Sequence, residues 1–188
     1  MSCRALAPLP WARWVDAPGS GCSGRLASWP EVDTQGGMEL AEANVARLRA
    51  PIDDPSMSGL IRALDDVNWL ADRSPGFVWR HRPGDGPLTV GELAGAGEVV
   101  VTLSTWLDFA SLQAYVYRTA HGLFMQRRAR WFVPVGGFTT ALWWVPAGHH
   151  PSADDGLDRL ARLRSSGPSP EAFSLRRQFT PDGVARPA

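Results

Sequence analysis

Regular hydrophobic alternation begins only after Gly36-Gly37-Met38, and from there the chain reads element by element. Residues 39–49 (ELAEANVARLR) predict a first strand, with Leu40, Asn44 and Leu48 on one face and Ala43, Val45 and Arg47 on the other. Asp54-Pro55 opens a helix, Asp54 as N-cap and Pro55 at the first helical position. Met57, Leu60, Ile61, Leu64, Val67 and Ala71 recur at helical spacing and make its buried stripe, which Ser74-Pro75-Gly76 ends. Gly76–Arg82 (GFVWRHR) reads as a second strand, followed by a Gly- and Pro-rich loop to about Gly97. Glu98–Trp106 (EVVVTLSTW), rich in β-branched residues, is the third strand. Asp108 caps a helical stretch expected to reach about Phe132, with a break or kink near His121-Gly122. Thr139–Pro146 (TTALWWVP) is the fourth strand, in which adjacent Trp143 and Trp144 must face opposite ways.

A last amphipathic helix starts at Ser152. Asp154 and Asp155 in its first turn and Arg162 and Arg164 in its last complement the helix dipole. Leu157, Leu160 and Leu163 line its inner side, Gly167-Pro168 stops it, and Pro170–Phe179 reads as an extended arm. The succession is an α+β, ferredoxin-like β-α-β-β-α-β plan with an extra C-terminal helix. Helices on one sheet face leave the other apolar and open, and pairing sheet to sheet with a second copy is the expected cover. Residues 1–37 lack a sustained hydrophobic period and are expected to be a disordered leader or an over-extended start, with Met38 as initiator. The domain is expected over 38–179, with 180–188 a frayed tail.

Charge and composition remove several chemistries. The formal net charge is zero, so a general attraction to nucleic acid or anionic membrane is not expected. All 19 basic residues are Arg. Without Lys there is no Schiff-base lysine for pyridoxal-phosphate or aldolase chemistry, and no P-loop lysine. Cys3 and Cys22 both precede the patterned region, which excludes thiolate catalysis, Cys-type zinc and iron–sulfur ligation in the domain. Two such cysteines make no disulfide framework, which fits a reducing cytoplasm. No run of about 18 apolar residues occurs. Pro8, Pro10, Arg13 and Asp16 interrupt any secretory h-region, so the expected location is cytoplasmic.

Three stretches carry a family resemblance: NVARLRAPIDDPSM with SPGFVWR downstream, YRTAHGLFMQRRARWF, and LWWVPAGHHPS with GPSPEAFSLRRQF. Over residues 38–179 the chain resembles the "domain of unknown function 3291" family. That family is similar to the dimeric α/β-barrel group, in which two ferredoxin-like subunits pack sheet to sheet. Relatives in the wider group include cofactor-free monooxygenases of antibiotic biosynthesis, haem-degrading monooxygenases and chlorite dismutase-like haem proteins. The resemblance thus implies a homodimer, and it sets oxygenase chemistry beside haem binding.

His121 is the leading chemical candidate, sharing a helix face with Met125 and Arg128 and with Tyr117 four residues before it. It could serve as acid or base, as an axial haem ligand, or as a structural histidine. Asn44 is a polar residue on a strand expected to be largely buried, able to orient a substrate oxygen or to act as a satisfied structural amide. Trp79, Trp106 and Trp131 either wall a cavity for a flat substrate or pack the core. His149-His150, with His81 and His121, lack the spacing and carboxylate partners of a metal site. The reading is a small-molecule enzyme for a hydrophobic, aromatic or polyketide-like substrate, a cofactor-free monooxygenase or cyclase. His121, Asn44 and Tyr117 would act in catalysis, and Trp79, Trp106, Trp131 and Arg128 would bind the substrate. A haem protein ligated by His121 and a non-catalytic dimeric ligand-binding module are the alternatives.

Overall fold

The sheet is organised around its first strand. In the computed structural model, which describes residues 37–82, 91–92, 98–118 and 128–187, β1 (Met38–Leu48) is flanked on both sides. The further strands are β2 (Phe77–Arg80), β3 (Gly91–Glu92), β4 (Glu98–Trp106), β5 (Phe132–Val133) and β6 (Thr140–Pro146). On one side β1 pairs with β4, which carries β2 and β3 on its far edge. On the other side β1 pairs with β6 along its first half and with the short β5 at its end. Every one of these pairings is antiparallel. Among the described residues the result is an α+β protein with an open antiparallel sheet. The helices are α1 (Ser58–Ala71), α2 (Phe109–Arg118) and α3 (Ala153–Ser166).

Local chemistry explains the helix starts. Asp54 Oδ1 accepts from the Ser56 backbone N–H at 2.8 Å, and the turn that follows, Pro55–Met57, is 3-10 before α1 begins. Asp108 Oδ1 accepts from the Ser111 N–H at 2.7 Å, capping α2. At α3, Ser152 and Asp155 satisfy each other's backbone N–H groups in a capping box, and Gly167 ends the helix with φ 76°.

The two faces of the sheet are covered differently. α1 and α2 lie on the face that presents Leu40, Trp106 and Leu142. The opposite face presents Ala41, Ala43, Val45, Val101, Leu103, Trp143 and Val145, all at most 4% exposed beneath Leu160 and Leu163 of α3. The expectation that this face lies open for a second copy is therefore corrected. The extra helix folds back and buries it within one chain. Contact is close because Gly156 leaves room, and a Cβ there would stand 2.9 Å from Ala43 Cβ and 3.0 Å from Leu103 Cδ2. Gly156→Val is expected to destabilise the fold by about 1–3 kcal/mol through overpacking, measured by urea unfolding. A neutral outcome would mean that α3 sits further from the sheet.

Three smaller expectations also change. Ile61 is 47% exposed and not part of the α1 stripe, because Leu60, Leu64, Val67 and Ala71 already define the inward face about 100° away. Residues 128–133 do not continue an α-helix: Arg128–Arg130 is a single 3-10 turn running into β5, which β1 captures through Leu48↔Phe132. The tail expected to fray folds into a turn in which the Thr180 N–H donates to Val184 O at 2.8 Å and the Arg186 N–H to Gln178 O at 2.9 Å. Before it, the arm docks on the outer edge of β6, where Phe173 and Leu142 exchange two backbone bonds of 2.8 Å.

Candidate functional site

Strand register builds the site. Side chains two apart on a strand share a face, about 7 Å from one another. On the face beneath α1 and α2 the first row is apolar and aromatic, with Leu40 opposite Trp106 on β4 and Trp144 on β6. The next row is Arg80, Ser104, Glu42 and Leu142, and the one after it is Thr102, Asn44 and Thr140. Beyond these two polar rows the face turns apolar again, at Ala46 and Val100 and then Leu48. A polar strip thus crosses the middle of the face between two hydrophobic clusters. One cluster holds Trp106, Tyr115 and Phe77, and the other holds Trp131, Leu48 and Phe132. α1 contributes to both, through Leu60 and Leu64 at one end and Val67 and Ala71 at the other.

Glu42 is the chemical centre of the strip. Its carboxyl is half-buried, and Oε2 accepts a hydrogen bond from Ser104 Oγ at 3.1 Å. Ser104 Oγ in turn accepts from Trp106 Nε1 at 2.9 Å. Burial pushes the Glu42 carboxyl above its usual value of 4.5, only partly offset by the bond from Ser104, which favours the charged form. Tyr115 stacks on Trp106 with ring centroids 5.0 Å apart and donates its hydroxyl to Val67 O at 3.2 Å. Burial raises its pKa strongly, the negative charge of Glu42 adds to this, Arg80 opposes it and Asp72 adds a little more. Arg80, in the Glu42 row, is held by Asp72 through bonds of 2.8 and 3.1 Å. That pairing, with its hydrogen bond as the main cause, keeps the Asp72 carboxyl below the usual range.

Of the residues singled out from sequence, Asn44 and Trp106 belong to this site, Asn44 in the strip and Trp106 at its aromatic end. Trp131 closes the other end. Trp79 is on the opposite face and stacks on His150 at 4.6 Å with the rings 7° apart, so Trp79, Trp106 and Trp131 do not wall a common cavity. The reason is register: Trp79 is opposite Thr105, one residue out of phase with Trp106. Tyr117 is 42% exposed, whereas Tyr115 points inward. Arg128 is exposed in the 3-10 turn before Trp131. His121 lies outside the described residues. Among those residues no group of His, Cys, Asp and Glu is placed to hold a metal ion, and no helix is long and apolar enough to cross a membrane.

Glu42 and Ser104 were missed from sequence. The signal was present, since Glu42 sits between Leu40 and Asn44 at the strand period, but nothing local shows that a carboxylate there will be covered.

Fold and strip together define an α+β protein with an acidic group set among aromatic residues beneath two helices. The chain belongs to the family described as Domain of unknown function (DUF3291), which it matches over residues 39–187. It is similar to a crystal structure of a protein of unknown function from Nitrosomonas europaea, at 14% identity and a TM-score of 0.39, covering 62% of this chain and 98% of that one. No protein with a curated description matches.

Proposed function

We propose that this chain is a small-molecule enzyme in which Glu42 is the general acid–base, acting on a hydrophobic, aromatic or polyketide-like substrate laid across the polar strip. The carrying observation is a half-buried carboxyl, raised by desolvation, between two aromatic clusters. A carboxyl shifted upward is better matched to proton transfer at ordinary working pH than an exposed one. Proton abstraction from a carbon acid is common to cyclisation, isomerisation and the first step of cofactor-free oxygenation. That step fits a monooxygenase or cyclase in which Glu42 takes the acid–base role, while His121 lies outside the described residues. The strand order β2–β4–β1–β6 supports a ferredoxin-like plan and the relation to the dimeric α/β-barrel group. With α3 over the second face, the reading does not call on another copy to complete the site.

The test is a thermal-shift and tryptophan-fluorescence screen of the full chain against hydroxylated polycyclic aromatics and aromatic polyketones, followed by product analysis in air and without oxygen. A binder at a hundred times its Kd is expected to stabilise the protein by about 2.7 kcal/mol. Turnover only in air marks a monooxygenase, and turnover in both marks a cyclase or isomerase. Binding and turnover left unchanged by Glu42→Leu would overturn the proposal.

A further inference from the structure

Hydrogen-bond polarity along Trp106, Ser104 and Glu42 constrains what the site accepts. The indole N–H is a donor only, so at 2.9 Å Ser104 Oγ must be its acceptor. The one hydroxyl proton of Ser104 is then directed to Glu42 Oε2 at 3.1 Å. When Glu42 is neutral and Ser104 donates to Oε2, the acid proton sits on Oε1. Among the described residues Oε1 has no hydrogen-bond partner, and the sealed, unpartnered polar atoms are elsewhere, at Glu39 Oε2 and Thr105 Oγ1. Among the described residues the ionisable groups at this end include Arg80, bound to Asp72, Arg82, 3.7 Å from the same carboxyl, and Tyr115, whose hydroxyl donates to Val67 O.

Resting on the acid–base reading above, we infer that the ligand is a hydrophobic molecule bearing a carbonyl acceptor, of the aromatic ketone class, which receives the Glu42 Oε1 proton. Ser104 is the positioning residue that directs the proton to that oxygen. A site built to hydrogen-bond a ligand group discriminates against the analogue lacking it, because its own polar atom is then left unpaired.

The probes are 9-fluorenone and fluorene, flat molecules that differ in the carbonyl, titrated into the full-length chain. Fluorenone is expected to bind at least about tenfold more tightly at a pH where Glu42 is neutral, with its carbonyl stretch lowered. Glu42→Gln should keep the preference, because the amide N–H replaces the acid O–H, and Glu42→Leu should abolish it. In Ser104→Ala the infrared titration of Glu42, identified as the band lost in Glu42→Gln, is expected to move to higher pH while the preference falls. Ser104→Thr should restore both. Circular dichroism checks the fold of each variant. Equal binding of the two probes overturns the carbonyl inference and leaves the acid–base reading standing. A Ser104→Ala protein with wild-type titration and preference overturns the positioning role. Binding of neither probe, together with a Glu42 that titrates at its ordinary value, overturns the acid–base reading and the inference with it.

Discussion

Trp106→Ala is expected to lower the unfolding free energy by about 3–5 kcal/mol. The side chain is fully buried, at 0% exposed, where both central strands meet the helices. Its indole takes Phe77 edge-on at 5.3 Å and stacks with Tyr115 at 5.0 Å, so alanine removes contacts on two sides and leaves a cavity that rigid neighbours cannot close. It also deprives Ser104 Oγ of its donor. Trp106→Phe separates the two losses, since it keeps most of the packing and drops only the N–H, and it should cost less. Urea unfolding measures both variants. An alanine variant within about 1 kcal/mol of wild type would show that the aromatic end of the strip is not the packed unit described.

Glu42→Gln carries the largest expected effect on activity, a fall in turnover of about 10²–10⁴-fold on any substrate that the screen identifies. Glutamine keeps the shape of the side chain and can still accept from Ser104, so loss of the titrating group is the main change. Its effect on stability should run the other way. The folded carboxyl holds its proton more tightly than the usual 4.5, so its stabilising contribution is complete below that value and is lost as pH rises through the raised one. Glutamine has no such loss. The stability of Glu42→Gln relative to wild type should therefore grow across that window and level off above it. Unfolding curves over a pH series test this, and a difference constant with pH would mean that the carboxyl is not shifted.

These expectations separate what is local in the fold from what is not. The Asp108 cap, the Ser152–Asp155 capping box and the β-branched run of β4 are legible because each depends on residues a few positions apart. The same holds for Trp143 and Trp144, which alternation alone sends to opposite faces, Trp143 beneath α3 and Trp144 beside the arm, its Nε1 donating to Phe179 O at 2.8 Å. Asn44 was likewise placed correctly, as a polar residue on the face shared with Leu40 and Leu48.

Glu42 shows where that reading ends. Period-two alternation assigns it a face, but its desolvation needs β4 alongside and helices above, elements more than ten residues away in the chain. The tryptophans were sorted by register, a property of two strands together, which set Trp79 against His150 and divided Trp106 from Trp131. The stripe of α3 announced that the helix buries something without saying what. By itself the sequence determined the four longer strands, the starts of the helices and the absence of Lys, but not β3, β5 or the 3-10 turn before Trp131. Only the tertiary structure decided that α3 closes the second face and that a carboxyl lies between two aromatic clusters, because desolvation and strand register come from contacts made across the chain.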